Sequence, residues 1–286
     1  MRLPRKRGTR DRMIGPAVLY VPASNVRALK KAPTLGADAV IYDLEDAVAP
    51  AARPDAREAL RDALGGTRPA ATAVRVNHPS SPDFTEDLLI ARAAMPDAVV
   101  VPKVESGADL ALVEEALEQS DAPPTLALWA MIETPRGVLD AGTVAASGGR
   151  LTTLVVGTND LEAGTGASRD AMRPWLMQIL LAARACGLQA FDGVFNAISD
   201  SERFERECRD GATMGFDGKT LIHPSQIERC REAFRPTDRE VQRARAIVAA
   251  FEREPGAGVL AVDGEMVERL HLLAARRALQ RVGTHR

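Results

Sequence analysis

Cysteine is scarce in this chain: three residues among 286, Cys186, Cys208 and Cys230, with no C-x-x-C spacing. That argues against a disulfide framework or a thiolate metal site, and suits a reducing compartment with the thiols packed on helices. The histidines, His78, His223, His271 and His285, are dispersed and offer no zinc-binding cluster. No apolar stretch approaches the ~20 residues needed to cross a bilayer. The basic opening MRLPRKRGTRDRM is followed by no apolar signal core, which points away from export. Charge of one sign is not in excess: the formal net charge of -2 gives no general pull toward nucleic acid or an anionic membrane. Glycine-rich phosphate loops, internal repeats and low-complexity tracts are also missing. The expectation is a cytoplasmic enzyme acting on a small molecule, its basic N-terminal arm solvated and poorly ordered.

What the sequence does have is a succession of short apolar runs that end in reactive residues. Eight β-like runs occur at 17–22, 39–44, 72–77, 98–103, 126–132, 153–157, 188–193 and 219–224. They are nearly continuous in apolar residues rather than alternating, as befits parallel strands covered on both faces. Helix signals lie between them. Pro54 suits the first turn of AREALRDAL, Gly65-Gly66 is expected to close that helix in the left-handed conformation, and Ser106 can cap GADLALVEEALEQ. Eight β-then-α units in about 230 residues match a (β/α)8 TIM barrel, expected over 14–235. An open doubly wound sheet normally stops at fewer strands. After the barrel, residues 236–286 read as a helix, a hairpin-like turn and a second helix, an appendage able to cap a pocket.

In such a barrel the loops at the C-terminal ends of the strands converge on one pocket. Glu133 and Asp160 follow adjacent runs and make an oxygen-rich pair of the kind Mg2+ prefers, unless each is a helix cap or a loop salt bridge. Arg75 lies in an apolar VRV, where a guanidinium must face an anion, either a substrate oxyanion or Asp43 or Glu45. Asp43 and Glu45 point the same way by alternation, so one can hold a metal-bound water while the other pairs with Arg75; the competing reading is a solvated acidic loop. Lys103 is expected to pair with Glu105, and His223 to hydrogen-bond at the rim.

These segments together resemble the HpcH/HpaI aldolase family, in particular the citrate lyase β-subunits and the malyl-CoA and citramalyl-CoA lyases. LYVPASN (19–25), GADAVIYDLEDAV (36–48), VRVN (74–77), VPKVES (101–106), MIETPRGV (131–138), VVGTNDL (155–161), GFDGKTLIHPSQI (215–227) and VDGEMV (262–267) carry the resemblance, in the family's order. It implies that Glu133 and Asp160 bind Mg2+, that Arg75 stabilises the enolate, and that Asp43 and the neighbouring acids stand behind the metal waters. It also implies that Asp263 belongs to a C-terminal lid reaching over an adjacent subunit, in a homotrimer or dimer of trimers. Four positions depart from the family's usual pattern: Gly15-Pro16 stand where Arg-Ser is usual, Ala23 replaces glycine, and Asn159 stands where an acid is common.

The implied reaction is retro-Claisen cleavage of a 3-hydroxy-3-carboxyacyl thioester, on CoA or on an acyl carrier, to an α-keto acid and a shorter acyl thioester. Alternatives are a thioesterase using the same groups, a CoA-independent aldolase on a hydroxy-keto acid, and a non-catalytic subunit of a lyase complex. Arg27, Lys30 and Lys31 could form a patch for the CoA phosphates or simply a solvated helix face.

Overall fold

A computed structural model describes residues 13–283. All but the last residue of the basic N-terminal arm lies outside that range. Eight parallel strands close into a barrel: β1 (Ala17–Pro22), β2 (Ala39–Asp43), β3 (Thr72–Arg75), β4 (Ala98–Val101), β5 (Ala127–Ile132), β6 (Leu151–Val156), β7 (Gln189–Asp192) and β8 (Gly218–Leu221). Closure is made by β1 against β8, with Ala17 opposite Lys219 and Leu19 opposite Leu221. Each strand lies within one of the apolar runs or within two residues of its ends. Several runs overshoot because Pro102 and Pro224 cannot donate to a ladder and Lys103 turns the chain at φ 50°.

Alternation divides every strand between two cores. Outward residues such as Leu19, Val40, Val74 and Leu154 join the helices in the larger cluster. Inward residues such as Val18, Ile41, Ala73, Val100, Trp129 and Phe191 fill the barrel. Trp129 and Phe191, with ring centroids 5.9 Å apart, plug the interior. The barrel interior is therefore packed below a mouth at the strand C-termini.

The helices mostly follow the sequence signals. The helix Gly107–Gln119 is opened by Ser106, whose amide donates to Asp109 Oδ2 at 2.8 Å. The helix Arg53–Leu64 ends differently from expectation: Gly65 has φ -72° and stays right-handed, the chain closing with its amide on the Arg61 and Ala63 carbonyls. Behind β7 and β8, Lys219 is fully buried. Its ammonium is held by Asp192 at 2.9 Å and by Glu207 of the helix Ser201–Met214 at 2.7 Å. Cys208 and Cys230 pack in helices as expected, whereas Cys186 is exposed.

Beyond the barrel come the helix Asp238–Arg253, the antiparallel hairpin of β9 (Val259–Val262) and β10 (Glu265–Glu268), and the helix Arg269–Gly283. The hairpin turns on Asp263 and Gly264, at φ 51° and 80°, a two-residue turn suited to Asp-Gly. Ile247, Phe251, Val262, Val267 and Leu272 give this segment a core of its own, while Met266, Leu270 and Leu273 remain exposed.

Candidate active site

The inward parity of the strands sets the site. Continuing past the apolar plug, the next inward positions are Tyr20 on β1, Asp43 on β2, Arg75 on β3, Met131 on β5 and Glu133 just beyond it. All of them line one cavity of about 300 Å3 at the C-terminal mouth. Asp160 enters from the first turn of the helix Thr158–Thr165, after β6, and lines the same cavity.

Arg75 and Asp43 stand opposite each other in the β2–β3 register. Arg75 Nε donates to Asp43 Oδ1 at 2.7 Å and Nη2 to Oδ2 at 2.6 Å, a bidentate pair. Arg75 Nη1 lies 3.0 Å from Glu45 Oε2, an ion pair without a well-aligned hydrogen bond. The guanidinium carbon sits 5.1 Å from the Tyr20 ring centroid, close enough for a cation–π contact. Burial alone would lower the Arg75 pKa, but Asp43 and the other neighbouring anions outweigh it and keep the guanidinium firmly charged.

Glu45 does not line the cavity. It is buried behind Arg75, and its other oxygen accepts from Lys103, which also reaches Asp46 at 3.3 Å. The expected Lys103–Glu105 pair is not made, because the positive φ of Lys103 turns its side chain across to the β2 loop. Burial raises Glu45 above the usual carboxylate range, with Arg75 and Lys103 opposing.

Glu133 is 1% exposed. Its Oε1 accepts from the Lys103 amide at 2.8 Å, and its Oε2 is buried with no hydrogen-bond partner. Burial is the main reason its pKa is pushed up to about 8; Arg75 opposes, and Asp160 and Glu45 add to the rise. Gly157 leaves room for this carboxylate: a Cβ there would come within 2.3 Å of Glu133 Oε2.

An orphaned buried oxygen on a carboxylate reluctant to ionise, beside a second carboxylate, fits a hard cation better than it fits any side chain nearby. Among the described residues no group of three or more His, Cys, Asp or Glu side chains could hold a metal alone. Mg2+ is compatible with that, since it commonly takes one or two carboxylates and completes its octahedron with water or substrate.

The other expected site residues lie elsewhere. Arg27 and Lys30 are exposed on the short helix Val26–Lys31, off the cavity wall. Asp263 is exposed at the hairpin turn and does not line the chain's own cavity. His223 is a rim residue, its Nδ1 2.8 Å from Ser225 Oγ. Asn159 lines the cavity, its Oδ1 accepting from Asn196 Nδ2 at 2.7 Å. The sequence reading missed Tyr20, whose hydroxyl donates to Met131 Sδ at 3.4 Å. Its inward parity on β1 was the available signal.

A closed (β/α)8 barrel with an arginine and converging carboxylates at its mouth defines a barrel enzyme site. The sequence model of the HpcH/HpaI aldolase/citrate lyase family matches residues 16–224, and the chain belongs to that family. A (3S)-malyl-CoA thioesterase of Cereibacter sphaeroides is 45% identical over 273 residues, covering 92% of this chain and 93% of the relative. A citrate lyase subunit beta-like protein of Mycobacterium tuberculosis is 37% identical, covering 95% of this chain and 97% of its own. Among solved structures, the CitE protein of Mycobacterium tuberculosis, in complex with magnesium, acetoacetate and coenzyme A, superposes with a TM-score of 0.78. It is 36% identical, with 96% of this chain and 99% of that chain covered. Among the described residues no helix is long and apolar enough to cross a membrane.

Proposed function

We propose that this chain is a Mg2+-dependent carbon–carbon lyase that cleaves a 3-hydroxy-3-carboxyacyl thioester into an α-keto acid and a shorter acyl thioester. The observation that carries the proposal is Glu133 Oε2, buried and unpartnered on the wall that also holds Asp160 and Arg75. Glu133 and Asp160 would hold the cation, which when bound supplies Lewis-acid stabilisation of oxygen-centred charge. That the CitE relative is found with magnesium, acetoacetate and coenzyme A supports Mg2+ as the cation and a thioester as the substrate class.

In the cleavage direction a base takes the proton of the substrate hydroxyl, whose oxygen becomes the keto carbonyl. The bond between the carbinol carbon and the thioester α-carbon breaks, and the electron pair passes to the thioester as an enolate, whose carbon then takes a proton. Arg75 is built to meet that moving charge. Asp43 and Glu45 fix its plane and Nη1 also meets Met131 Sδ at 3.8 Å, leaving an N–H donor on Nη2 for a substrate oxygen. A well-placed donor of this kind contributes roughly 3–4 kcal/mol to the transition state. Among the described residues Arg75 is the single cationic residue on the cavity wall, which Val156, Val194 and Ile222 line together with Thr158, Asn159 and Thr220.

Asp263 is the proposed acid that protonates the enolate carbon, supplied by a neighbouring subunit of a homotrimer or dimer of trimers. Its exposure away from its own cavity and the exposed Met266, Leu270 and Leu273 of the same segment support that reading. The thioester handle, CoA or an acyl carrier, would lie toward Arg27 and Lys30. Thioester hydrolysis is the second reading, favoured by the 45% identity to a (3S)-malyl-CoA thioesterase.

The test is purified protein with Mg2+ and malyl-, citramalyl- and citryl-CoA, with keto acid and free CoA measured separately. Keto acid formed with an intact acyl thioester, and lost in Glu133→Ala, supports the lyase; free CoA with hydroxy acid and no keto acid makes it a thioesterase. Silence on all three overturns both readings for CoA thioesters and points to a carrier-bound substrate or to the CoA-independent aldolase. If Asp263→Ala is inactive, co-expressing it with Glu133→Ala should restore activity when Asp263 serves a neighbour; a co-expressed mixture that stays inactive overturns the neighbour role, and an active Asp263→Ala removes Asp263 from the mechanism.

A further inference from the structure

Asp87 is a fully buried carboxylate, 0% exposed, that takes no part in the cavity. A buried charge is kept only with a full set of partners, and its partners lead back to the site. On the helix Phe84–Ala94, Asp87 accepts from Arg57 Nε at 2.7 Å through one oxygen. Through the other it accepts from both the amide and the Nδ2 of Asn77, at 2.8 and 2.7 Å. Asn77 is itself 3% exposed, two residues past Arg75. The remaining Nδ2 hydrogen goes to the Leu44 carbonyl at 3.0 Å.

Leu44 lies between Asp43 and Glu45, the two acids that grip Arg75, and its amide donates to the Arg75 carbonyl at 3.0 Å. Both polar groups of Leu44 are thus fixed by the chain leaving β3, one through backbone and one through the Asn77 side chain. A neutral acceptor in place of Asn77 would not serve the Leu44 carbonyl. A neutral amide in place of Asp87 would turn a donor toward either Arg57 or Asn77.

We propose that Asp87, acting through Asn77, is a positioning residue for Arg75: it orients the Asn77 amide that clamps Leu44 and thereby aims the Asp43 and Glu45 carboxylates. The competing role is simple attachment of the helix Phe84–Ala94 to its neighbours, to which Asp83 also contributes by pairing with Arg53 and Arg57, each at 2.5 Å. Asp83→Ala removes those contacts and leaves all three Asp87 hydrogen bonds in place, so it is the matched control. For kinetics the inference rests on Arg75 being the substrate-contacting cation.

The experiment compares Asp87→Asn, Asn77→Ala and Asp83→Ala by steady-state kinetics well below each Tm and by the NMR signal of Arg75 Nε–H, assigned through its loss in Arg75→Lys. Asn77→Ala leaves the Asp87–Arg57 pair intact, so it reports even if Asp87→Asn does not fold. Misaiming a catalytic group by a fraction of an ångström is expected to lower kcat by about tenfold or more. KM should change by less than about twofold, since the change falls on orientation rather than on ground-state binding. The Arg75 signal should move in Asp87→Asn and Asn77→Ala and stay in place in Asp83→Ala. An unmoved Arg75 signal in the folded variants overturns the proposal, as does an equal kcat loss and signal shift in Asp83→Ala. A moved signal with unchanged kcat supports the positioning and instead overturns the catalytic reading of Arg75.

Discussion

Replacing Glu133 with glutamine should make the metal-free protein more stable at neutral and alkaline pH. Burial lifts the Glu133 carboxyl from 4.5 to about 8 in the folded protein, and in the unfolded chain it returns to the ordinary value. At a pH below both values each state keeps the proton, and the residue favours neither. Between them the unfolded chain releases its proton while the folded protein does not, so stability falls as pH rises, by about 1.4 kcal/mol per pH unit. The accumulated penalty is about 3 kcal/mol at neutral pH and levels off at about 5 kcal/mol once the folded carboxyl also ionises. Glutamine keeps the shape, can still accept from the Lys103 amide, and carries no charge to bury. With EDTA at alkaline pH, Glu133→Gln should melt higher than wild type by roughly 5 °C or more, and the gap should close on acidification toward the lower pKa. Excess Mg2+ should raise the Tm of wild type much more than that of the variant. An equal or lower Tm for Glu133→Gln in EDTA at alkaline pH would refute the reasoning, because Glu133 would then be comfortably ionised without a cation.

Arg75→Lys keeps a charge but not the two parallel bonds to Asp43, and it should lower kcat/KM about a hundredfold or more in the cleavage assay. Gly157→Ala places a methyl where Glu133 Oε2 lies; Mg2+ affinity measured by calorimetry should fall about tenfold, with the barrel still folded by circular dichroism. Lys219→Met leaves Asp192 and Glu207 with Arg169 as their remaining cation and should cost about 1.5–3 kcal/mol in urea unfolding.

The barrel was legible because its strands are nearly uninterrupted apolar runs between helices with ordinary caps. Asp43, Arg75 and Glu133 could be named from sequence because each stands at or near the end of such a run; that one parity turns all three inward is seen in the fold. Asp160 needed the loop geometry after β6, and the bidentate Arg75–Asp43 pair needed the β2–β3 register. Asp87 was out of reach: it reads as an ordinary acidic residue in the first turn of a helix, and only the fold brings its carboxylate under Asn77. Lys103 misled for a local reason, since residues two apart share a side only in extended chain, and the left-handed turn at Lys103 breaks that rule. Gly65 did so too, because a glycine pair permits a left-handed cap without requiring one.

The alternation of inward and outward residues gives this site a reading frame of two. Inserting or deleting one residue within β2, β3 or β5 would turn Asp43, Arg75 or Glu133 toward the helices and bring an uncharged neighbour such as Leu44, Val74 or Ile132 to the mouth. Such changes abolish the chemistry in one step, whatever they do to stability. The loops after the strands carry no such constraint, so length changes near Val194 or Ile222 can reshape the apolar wall while the charged residues keep their places. Inheritance can thus explore new substrates through loop length and composition, with Asp43, Arg75 and Glu133 locked to strand parity and Asp160 alone carried by the segment after β6.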